Sequence, residues 1–339
     1  MSLELLPWEP PALGTAVDTA GDLRWIRLPV PGALQHINVW LAPGRARRVL
    51  IDTGMNQPDT HTAWEALTVS ERLEQELEAI LVTHHHPDHF GMAGHLARRF
   101  GVAVRMSEPA RAAAQRATLT AAAPPEEPLA QYREAWGVDF AALLTRARAA
   151  GVFERLVSGM PKDAPPIREG ERIGELRDPW EASLHFGHAE GHVCLHWREG
   201  SLFISGDQLL PSISSNISLY PGAGSSDPLA DFLVSLERLA ALPADTIVLP
   251  AHGQPFRGAA QRAAQLRAGH EQRLARLSGF VAEPRDTAEV VGALFGARKL
   301  EGWNSLLAYG ETLAHIRYLH ARGGLTRLAH GGEVRWVRA

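Results

Sequence analysis

The chain has 339 residues, of which 45% are hydrophobic and 21% charged, and its formal net charge at pH 7 is −4. This composition is ordinary for a globular protein with one large and one smaller domain, and the small net charge gives no whole-chain reason to expect nucleic acid or a membrane as partner. The single cysteine excludes an internal disulfide framework. No apolar stretch approaches the roughly 18 residues that span a bilayer, and the N-terminal residues lack a signal-peptide pattern, so we expect a cytoplasmic protein.

Strand-like apolar runs occur in two series along the chain. The first series comprises residues 23–28, 37–41, 49–51, 79–82 and 102–106, and the second comprises residues 182–185, 193–197, 202–204 and 246–249. Helical patterns separate several of these runs, and the clearest is residues 228–241, where the apolar side chains form one stripe. Two βαβ-like halves of this kind predict an α/β (α+β) fold, an αββα sandwich in which helices cover the outer faces of two sheets.

The strand at residues 79–82 runs directly into T-H-H-H-P-D-H, residues 83–89, and a helix-like stretch follows at residues 92–100. His84 and His86 can point to one site, and Asp88 and His89 can serve a second site beside it. Neutral imidazole and carboxylate are ligands that a divalent transition metal such as zinc accepts without a thiolate. This strand-to-helix turn therefore predicts a metal centre. The intervening His85 is expected to point away from it.

Residues 110–170 form a segment that a minimal version of such a sandwich does not need. Pro-rich breaks flank two helix-like stretches, residues 129–136 and 140–149. One interpretation is a tolerated surface elaboration. The other is a lid near the active site, with Tyr132, Trp136 or Phe140 shaping an apolar pocket, because long insertions in compact domains are often functional. We expect this helical insertion to lie near the active site and to carry the choice of substrate.

Three later fragments end an apolar run with a histidine or a carboxylate close to glycine. His188 follows the run at residues 181–185, Asp207 follows residues 202–204, and His252 follows residues 247–249. Glycine lets the backbone approach closely at such loops. His188 completes the first site, His252 completes the second, and Asp207 is a carboxylate able to bridge them. The seven candidate metal ligands are His84, His86, Asp88, His89, His188, Asp207 and His252.

After the last candidate ligand the character of the chain changes. Three helical patterns follow: one at residues 258–280, a short one that begins after Asp286 and ends at residue 295, and one at residues 303–320. Two strand-like pieces around Gly331 and Gly332 come last, which is a hairpin signal. Asp286 can cap the second helix together with Glu289. From residue 261 onward, 12 Lys and Arg stand against 7 Asp and Glu. We expect residues 1–260 to form the catalytic domain and residues 261–339 a helical domain used for packing, dimerisation or phosphate binding.

Residues 25–257 resemble the metallo-β-lactamase-fold hydrolases. The H-x-H-x-D-H run, the I-D-T-G turn at residues 51–54 and the three later ligand fragments occur in that family's order. Asp207 stands where the zinc β-lactamases carry a cysteine, so the chain looks more similar to the glyoxalase II, lactonase and ribonuclease Z side of the superfamily. The only cysteine, Cys194, is expected to be a small buried hydrophobe. The C-terminal segment, including H-E-Q-R at residues 270–273, resembles the winged-helix appendage of one hydrolase branch.

Residues near the ligands have expected supporting roles. Asp52, in the I-D-T-G turn, is expected to orient a ligand histidine, because ligating imidazoles usually donate their other N–H to a carboxylate or carbonyl. His192 is expected to support the loop of His188. The candidate substrate contacts just beyond Asp207 are Ser212, Ser214, Ser215, Asn216 and Tyr220.

Two adjacent cations imply a metal-bound hydroxide as nucleophile, with Asp88 or Asp207 as the catalytic carboxylate that takes its proton. The leading hypothesis is a dinuclear metal-dependent hydrolase of a small ester, thioester or lactone, as the glyoxalase II-like resemblance implies. The alternatives are a phosphodiesterase or endoribonuclease that uses the basic C-terminal module, and a mononuclear iron persulfide dioxygenase. The complete second group of ligands favours two metals and hydrolysis.

The expected cofactors are two divalent metal ions, with zinc as first choice and iron or manganese as alternatives, because histidine and aspartate ligands suit all three. The expected partner is a small-molecule substrate and not a membrane. Nucleic acid binding and a homodimer stay open.

Overall fold

The computed structural model describes residues 3–120, 126–149, 156–222, 224–296, 300 and 302–339. The strands in these residues are β1 (Glu4–Leu5), β2 (Ala16–Asp18), β3 (Arg24–Pro29), β4 (His36–Pro43), β5 (Arg48–Ile51), β6 (Leu77–Leu81), β7 (Ala103–Arg105), β8 (Glu181–His185), β9 (His192–Trp197), β10 (Leu202–Gly206), β11 (Ile247–Pro250), β12 (Phe256–Arg257), β13 (Arg285–Asp286), β14 (Leu325–His330) and β15 (Glu333–Arg338). The helices are α1 (Pro58–Ser70), α2 (Leu73–Glu76), α3 (Pro87–Phe90), α4 (Ala93–Phe100), α5 (Glu108–Thr120), α6 (Glu126–Trp136), α7 (Phe140–Ala149), α8 (Pro228–Ala240), α9 (Ala259–Phe280), α10 (Thr287–Phe295) and α11 (Gly302–Ala321).

Two six-stranded sheets form the large N-terminal part of the molecule. The first has the order β2-β3-β4-β5-β6-β7, and its last three strands are parallel. The second has the order β1-β12-β11-β10-β9-β8, in which β10 and β11 are parallel. Parallel neighbours require a crossover connection, and helices α1 to α4 and α8 supply these crossovers. The loops that leave the carboxyl ends of parallel neighbours therefore lie side by side.

The two sheets pack face to face, and helices cover their outer faces. Trp25 of β3 and Trp40 of β4 stack with ring centroids 5.9 Å apart, and they share an inner core with Leu195 of β9. Ile26, the next residue of β3, belongs to the separate core under α1 and α4, as the two-residue period of a strand requires. Phe203 of β10 belongs to the third core, under α8 and α9. The predicted αββα sandwich is confirmed.

The nine strands predicted from apolar runs are all present, and no end is shifted by more than two residues. The strands that the sequence did not reveal are β1, β2, β12 and β13, which have two or three residues each. Runs this short show no periodicity that could distinguish them from a loop. Their pairing is antiparallel, and for two of them the partner is distant in sequence, since β1 pairs with β12 and β13 with β15.

The insertion contributes helices α5, α6 and α7, and the last two match the predicted helical stretches. Tyr132 and Phe140 are buried, their rings lie 5.3 Å apart, and the Tyr132 hydroxyl donates a 2.6 Å hydrogen bond to the Leu219 carbonyl. Trp136 stacks on Trp336 near the C-terminus. These aromatic side chains build a core shared with the C-terminal helices, and their role in lining a substrate pocket stays a prediction. Residues 121–125 and 150–155 of the insertion lie outside the described residues.

The C-terminal module consists of α9, α10 and α11 with a three-stranded sheet of order β13-β15-β14. The predicted cap of α10 is confirmed, because the Asp286 carboxylate accepts from the Glu289 N–H at 2.8 Å and the Glu289 carboxylate accepts from the Asp286 N–H at 2.9 Å. The predicted hairpin joins β14 to β15 through Gly331 and Gly332, both with positive φ. Among the described residues, no helix is long and apolar enough to cross a membrane.

Candidate metal centre

The seven candidate ligands lie in the segments that follow four strands of the two sheets, five of them in loops and Asp88 and His89 in the short helix α3. The run from His84 to His89 follows β6, His188 follows β8, Asp207 follows β10 and His252 follows β11. Because β10 and β11 are parallel neighbours, Asp207 and His252 leave the second sheet at the same edge. Pro87 occupies the first position of α3, a position where its missing N–H costs nothing, and it turns the chain into this short helix.

The first group contains His84, His86, His188 and Asp207, and one potential ligand atom from each lies within 4.8 Å of all the others. Nε2 of His84 lies 2.9 Å from Nδ1 of His86 and 3.3 Å from Nε2 of His188. Nε2 of His188 lies 3.3 Å from Oδ2 of Asp207. Ligand atoms 2.0–2.1 Å from a tetrahedral zinc ion lie about 3.3 Å apart, so this spacing fits a metal site.

The second group contains Asp88, His89 and His252, all buried. Nε2 of His252 lies 3.3 Å from Oδ2 of Asp88, and Nε2 of His89 lies 3.8 Å from the same oxygen. Both of these imidazole nitrogens lie 3.4 Å from Oδ1 of Asp207. Asp207 therefore turns one carboxylate oxygen towards each group, which is the geometry of a bridging ligand.

Three buried polar atoms at this centre have no hydrogen-bond partner: Nε2 of His89, Nε2 of His252 and Oδ1 of Asp207. A buried polar atom without a partner costs about 1–3 kcal/mol, so three of them facing one another are unexpected in a centre that holds no ion. A divalent cation satisfies imidazole lone pairs and a carboxylate oxygen together. The donor set of the described residues therefore fits divalent metal ions.

Electrostatics within the centre separate the histidines into two classes. Burial, reinforced by the neighbouring imidazoles, lowers the pKa of His84 and His86 well below 6.5. Burial also acts to lower the pKa of His89, but the carboxylates around it, above all Asp207, outweigh burial and raise that pKa well above 6.5. Burial acts to raise the pKa of Asp207, yet His89 and His252 hold it well below its usual range. The surrounding carboxylates therefore favour a proton on His89, and metal binding at this imidazole competes with that proton.

Each of three ligand histidines is oriented by an acceptor on its other ring nitrogen. Nδ1 of His89 lies 2.7 Å from Oδ2 of Asp52, as the sequence predicted for Asp52. Nδ1 of His252 donates to the carbonyl of His36 at 2.7 Å, and Nδ1 of His188 donates to the carbonyl of Asn216 at 2.9 Å. In each case Nε2 faces the centre and is the ring nitrogen left to bind a metal. Such partners fix the tautomer and raise the basicity of a ligand.

Asp52 holds this position in a left-handed backbone conformation, with φ +64°. Its carboxylate accepts from the Thr83 N–H at 2.8 Å and from the Thr83 hydroxyl at 2.8 and 3.0 Å. Left-handed backbone costs a non-glycine residue about 1–3 kcal/mol and is found where the surroundings impose it, often at functional sites. The I-D-T-G turn thus fixes the start of the ligand run and the tautomer of His89.

The family model described as "Metallo-beta-lactamase superfamily" matches residues 33–252, a range that includes all seven candidate ligands. The chain belongs to the metallo-beta-lactamase superfamily. A second model, described as "Metallo-beta-lactamase-like, C-terminal domain", matches residues 274–339 and so covers α10, α11 and the three-stranded sheet.

Relatives within the superfamily match nearly the whole chain. A "Probable metallo-hydrolase" of Bacillus subtilis (strain 168) is 29% identical over 322 residues, which cover 93% of this chain and 98% of that protein. The crystal structure of a beta-lactamase domain protein from Burkholderia ambifaria has a TM-score of 0.88 and 33% identity, and covers 99% of this chain and 98% of that one. A metallo-beta-lactamase family protein from Thermus thermophilus has a TM-score of 0.77 and 29% identity, with 94% and 98% covered. These similarities confirm the superfamily fold of the sandwich together with its C-terminal module.

The sequence analysis also assigned roles to His192, His85 and Cys194. His192 accepts a hydrogen bond from the Asp207 N–H at 3.1 Å and stacks on His84, so it supports these two candidate ligands, and its predicted support of the His188 loop stays a prediction. His85 belongs to neither group of candidate ligands. Cys194 is buried in β9, where burial raises its pKa well above the usual range.

The loop after Asp207 is held by its own hydrogen bonds. Ser215 donates to the Asp207 carbonyl, and the side chains of Asn216 and Tyr220 are largely buried against α11 and the insertion. Their role as substrate contacts stays a prediction. The carbonyls of His36 and Asn216 and the hydroxyl of Thr83 are functional groups that the sequence analysis missed. No side-chain pattern could reveal the two carbonyls, because every residue carries one.

Proposed function

We propose that the protein hydrolyses a small ester, thioester or lactone with two divalent metal ions, bound by His84, His86 and His188 and by Asp88, His89 and His252, with Asp207 as the bridging ligand. The coarser statement, a metal-dependent hydrolase, rests on membership of the metallo-beta-lactamase superfamily and on the name of the Bacillus subtilis relative. The single observation that carries the dinuclear proposal is the position of Asp207, whose two carboxylate oxygens lie 3.3–3.4 Å from nitrogens of different groups.

When bound, a pair of divalent ions supplies Lewis acidity and a water molecule of lowered pKa. The roles of the chain itself follow from the geometry. Asp88 and Asp207 carry the carboxylates of the centre. Burial acts to raise the pKa of both, but His89 and His252 face them and lower the pKa below its usual value. A carboxylate within hydrogen-bond reach of the reacting water takes its proton and returns it to the leaving group. Asp52 and the carbonyls of His36 and Asn216 hold the imidazoles in the ligating tautomer.

Zinc is the proposed native metal. The ligand set consists of imidazoles and carboxylates in two groups with the spacing of tetrahedral sites, and it contains no thiolate. Iron and manganese accept the same donors, so they are the alternatives that elemental analysis must decide.

The C-terminal module favours a small substrate over nucleic acid. A phosphate-binding surface needs basic side chains that are free to contact phosphates. Among the residues of this module that the structure describes, most arginines already have acceptors within the chain; for example, Arg267 pairs with Glu237 at 2.8 Å and Arg322 with Asp227 at 2.8 Å. The arginines from residue 261 onward with such partners are Arg262, Arg267, Arg273, Arg285, Arg317, Arg322, Arg327 and Arg335.

The second group of ligands also supports hydrolysis over the oxidative alternative. A mononuclear dioxygenase requires one metal and leaves no role for a second group. Here Asp88, His89 and His252 are all buried and turn their donor atoms to one oxygen of Asp207. Burying three such groups without an ion carries a desolvation cost that a mononuclear enzyme has no reason to bear.

A panel of substrates tests the proposed function. We expect the zinc-loaded enzyme to turn over a thioester or a lactone and to leave RNA, DNA and simple phosphodiesters intact. The variant His86→Ala should reduce that turnover by at least about 100-fold, because it removes a metal ligand. As a matched control, exchange of the exposed Arg276 and Arg338 for glutamine should leave turnover unchanged and only modestly dependent on salt.

A nuclease would give the opposite pattern. For each arginine that binds a phosphate, exchange for glutamine lowers the slope of the logarithmic salt dependence by about one unit. Metal-dependent cleavage of RNA that His86→Ala abolishes, together with inert thioesters and lactones, would overturn the proposed substrate class.

A further inference from the structure

Helix α11 of the C-terminal module contacts the loop that follows Asp207, and its side chain Glu311 binds Asn216 of that loop. This carboxylate is buried, with 8% of the residue exposed, and its Oε2 accepts a 3.0 Å hydrogen bond from the side-chain amide of Asn216. The same amide nitrogen lies 3.4 Å from the Leu307 carbonyl, one turn earlier in α11. The side-chain oxygen of Asn216 accepts from the Ser218 hydroxyl at 2.5 Å. The Asn216 side chain is thus anchored at both of its polar atoms.

The backbone of Asn216 in turn holds a candidate metal ligand. Its carbonyl accepts the 2.9 Å hydrogen bond from Nδ1 of His188, and Nε2 of His188 lies 3.3 Å from Oδ2 of Asp207. Asn216 thus binds Glu311 with its side-chain amide and His188 with its backbone carbonyl. A continuous chain of contacts therefore runs from Glu311 through Asn216 to His188. Positions 311 and 188 are 123 residues apart and belong to different parts of the fold.

The loop and the helix are in close contact around these residues. The Leu219 N–H donates to the Gly310 carbonyl at 3.0 Å. A Cβ at Gly310 would lie 2.6 Å from the Ser218 hydroxyl oxygen and 2.7 Å from a ring carbon of Tyr220, so only glycine permits this approach. The loop cannot shift relative to α11 without breaking these contacts.

We propose that Glu311 is a positioning residue through which the C-terminal module holds His188 in its ligating orientation and so increases the metal affinity of the first group. This inference rests on the proposed function, because it assumes that His188 binds a metal. It gives the C-terminal module a role in the centre that requires no contact with substrate or nucleic acid. The first group of ligands in the sandwich then needs α11 to bind its metal with full affinity.

Glu311 also belongs to a third buried cluster, with His270 and His315, whose donor atoms lie within 4.8 Å of one another. Two contacts favour a positioning network over a further metal site. Arg273 lies 3.3 Å from Oε1 of Glu311 and compensates its charge. Nδ1 of His315 donates to the Glu311 carbonyl at 2.7 Å, which leaves its Nε2 to accept from Nδ1 of His270 at 3.2 Å. A divalent cation here would face the Arg273 guanidinium at close range.

Measured zinc affinity tests the proposal with a readout that is independent of turnover. The full-length chain is titrated with zinc against a chromophoric chelator, and the thermal midpoint of the metal-free protein is recorded in parallel. Glu311→Leu removes the carboxylate that accepts from Asn216. It should lower the affinity for one of the two zinc ions by about 10–100-fold, the usual effect of removing a hydrogen-bond partner of a metal ligand. Glu311→Gln keeps an acceptor oxygen and should retain affinity near that of the native chain.

Two further variants make the test decisive. Arg276→Gln changes an exposed side chain of α9 that lies three residues after Arg273, and as the control it should leave zinc affinity unchanged. Asn216→Ala keeps the carbonyl that His188 uses but removes the anchoring amide, so it should weaken zinc as much as Glu311→Leu does. If Glu311→Leu does not fold, Asn216→Ala decides the question alone.

The proposal is overturned if Asn216→Ala and Glu311→Leu bind two zinc ions as tightly as the native chain, or if the control Arg276→Gln weakens zinc binding as much as Glu311→Leu does. It is also overturned if His270→Gln removes a third equivalent of zinc, because the cluster is then itself a metal site. A native chain that binds no zinc, iron or manganese contradicts the proposed function instead, so the two failures are distinguishable.

Discussion

Replacing Asp207 by asparagine should abolish hydrolysis and lower the affinity for both metal ions together. The exchange keeps the size of the side chain but removes the negative charge that lies 3.3–3.4 Å from nitrogens of both groups. We expect turnover to fall by at least about a thousandfold, equivalent to about 4 kcal/mol of transition-state stabilisation. Steady-state kinetics and elemental analysis of the same preparation measure the two effects.

The control is Asp163→Asn, because that side chain is 89% exposed and neither it nor its partner Arg111 belongs to a group of candidate ligands. It should retain full activity and metal content. An Asp207→Asn protein with two metal equivalents and unchanged turnover would show that this carboxylate does not bridge the groups. Loss of only one equivalent would assign it to a single site.

Chelation is the second change with a large expected effect. Stripping the metals should reduce hydrolysis by at least about 100-fold, because Lewis acidity and the activated water together supply several kcal/mol. Activity should return when zinc is added to the stripped protein. Parallel additions of manganese and of iron(II) under anaerobic conditions identify the metal that restores the highest turnover.

The pH at which the metals are stripped should also matter. Ligand imidazoles must be unprotonated to bind, and His89 carries a raised pKa in the metal-free chain, so metal release should become easier as the pH falls. Hydrolysis that persists after elemental analysis has shown the protein to be free of metal would contradict metal catalysis.

The sequence was sufficient to predict the sandwich and to nominate the ligands because both are encoded locally. Apolar runs of three to six residues identify the core strands, and each candidate ligand stands within a few residues of the end of such a run. Four of the candidate ligands stand within six consecutive residues, so their proximity needs no knowledge of the fold; they are His84, His86, Asp88 and His89. The orienting role of Asp52 was also predictable, since it ends a neighbouring strand of the same sheet.

The remaining contacts depend on pairings between distant residues. The His36 carbonyl meets His252 across 216 positions, and Glu311 meets Asn216 across 95 positions. Neither a backbone carbonyl nor a single buried glutamate leaves a periodic signal in the sequence. The aromatic residues of the insertion illustrate the same limit, because Trp136 finds its stacking partner in Trp336, 200 residues later.

The number of metal ions bound per chain tests the dinuclear account most directly. The native protein, reconstituted with zinc and freed of excess metal, should contain two equivalents by elemental analysis, one for the group with His84, His86 and His188 and one for the group with Asp88, His89 and His252. Removing a ligand specific to the second group, as in His252→Ala, should leave one equivalent. A native chain that retains a single equivalent under every reconstitution condition, with full hydrolytic activity, would contradict the account.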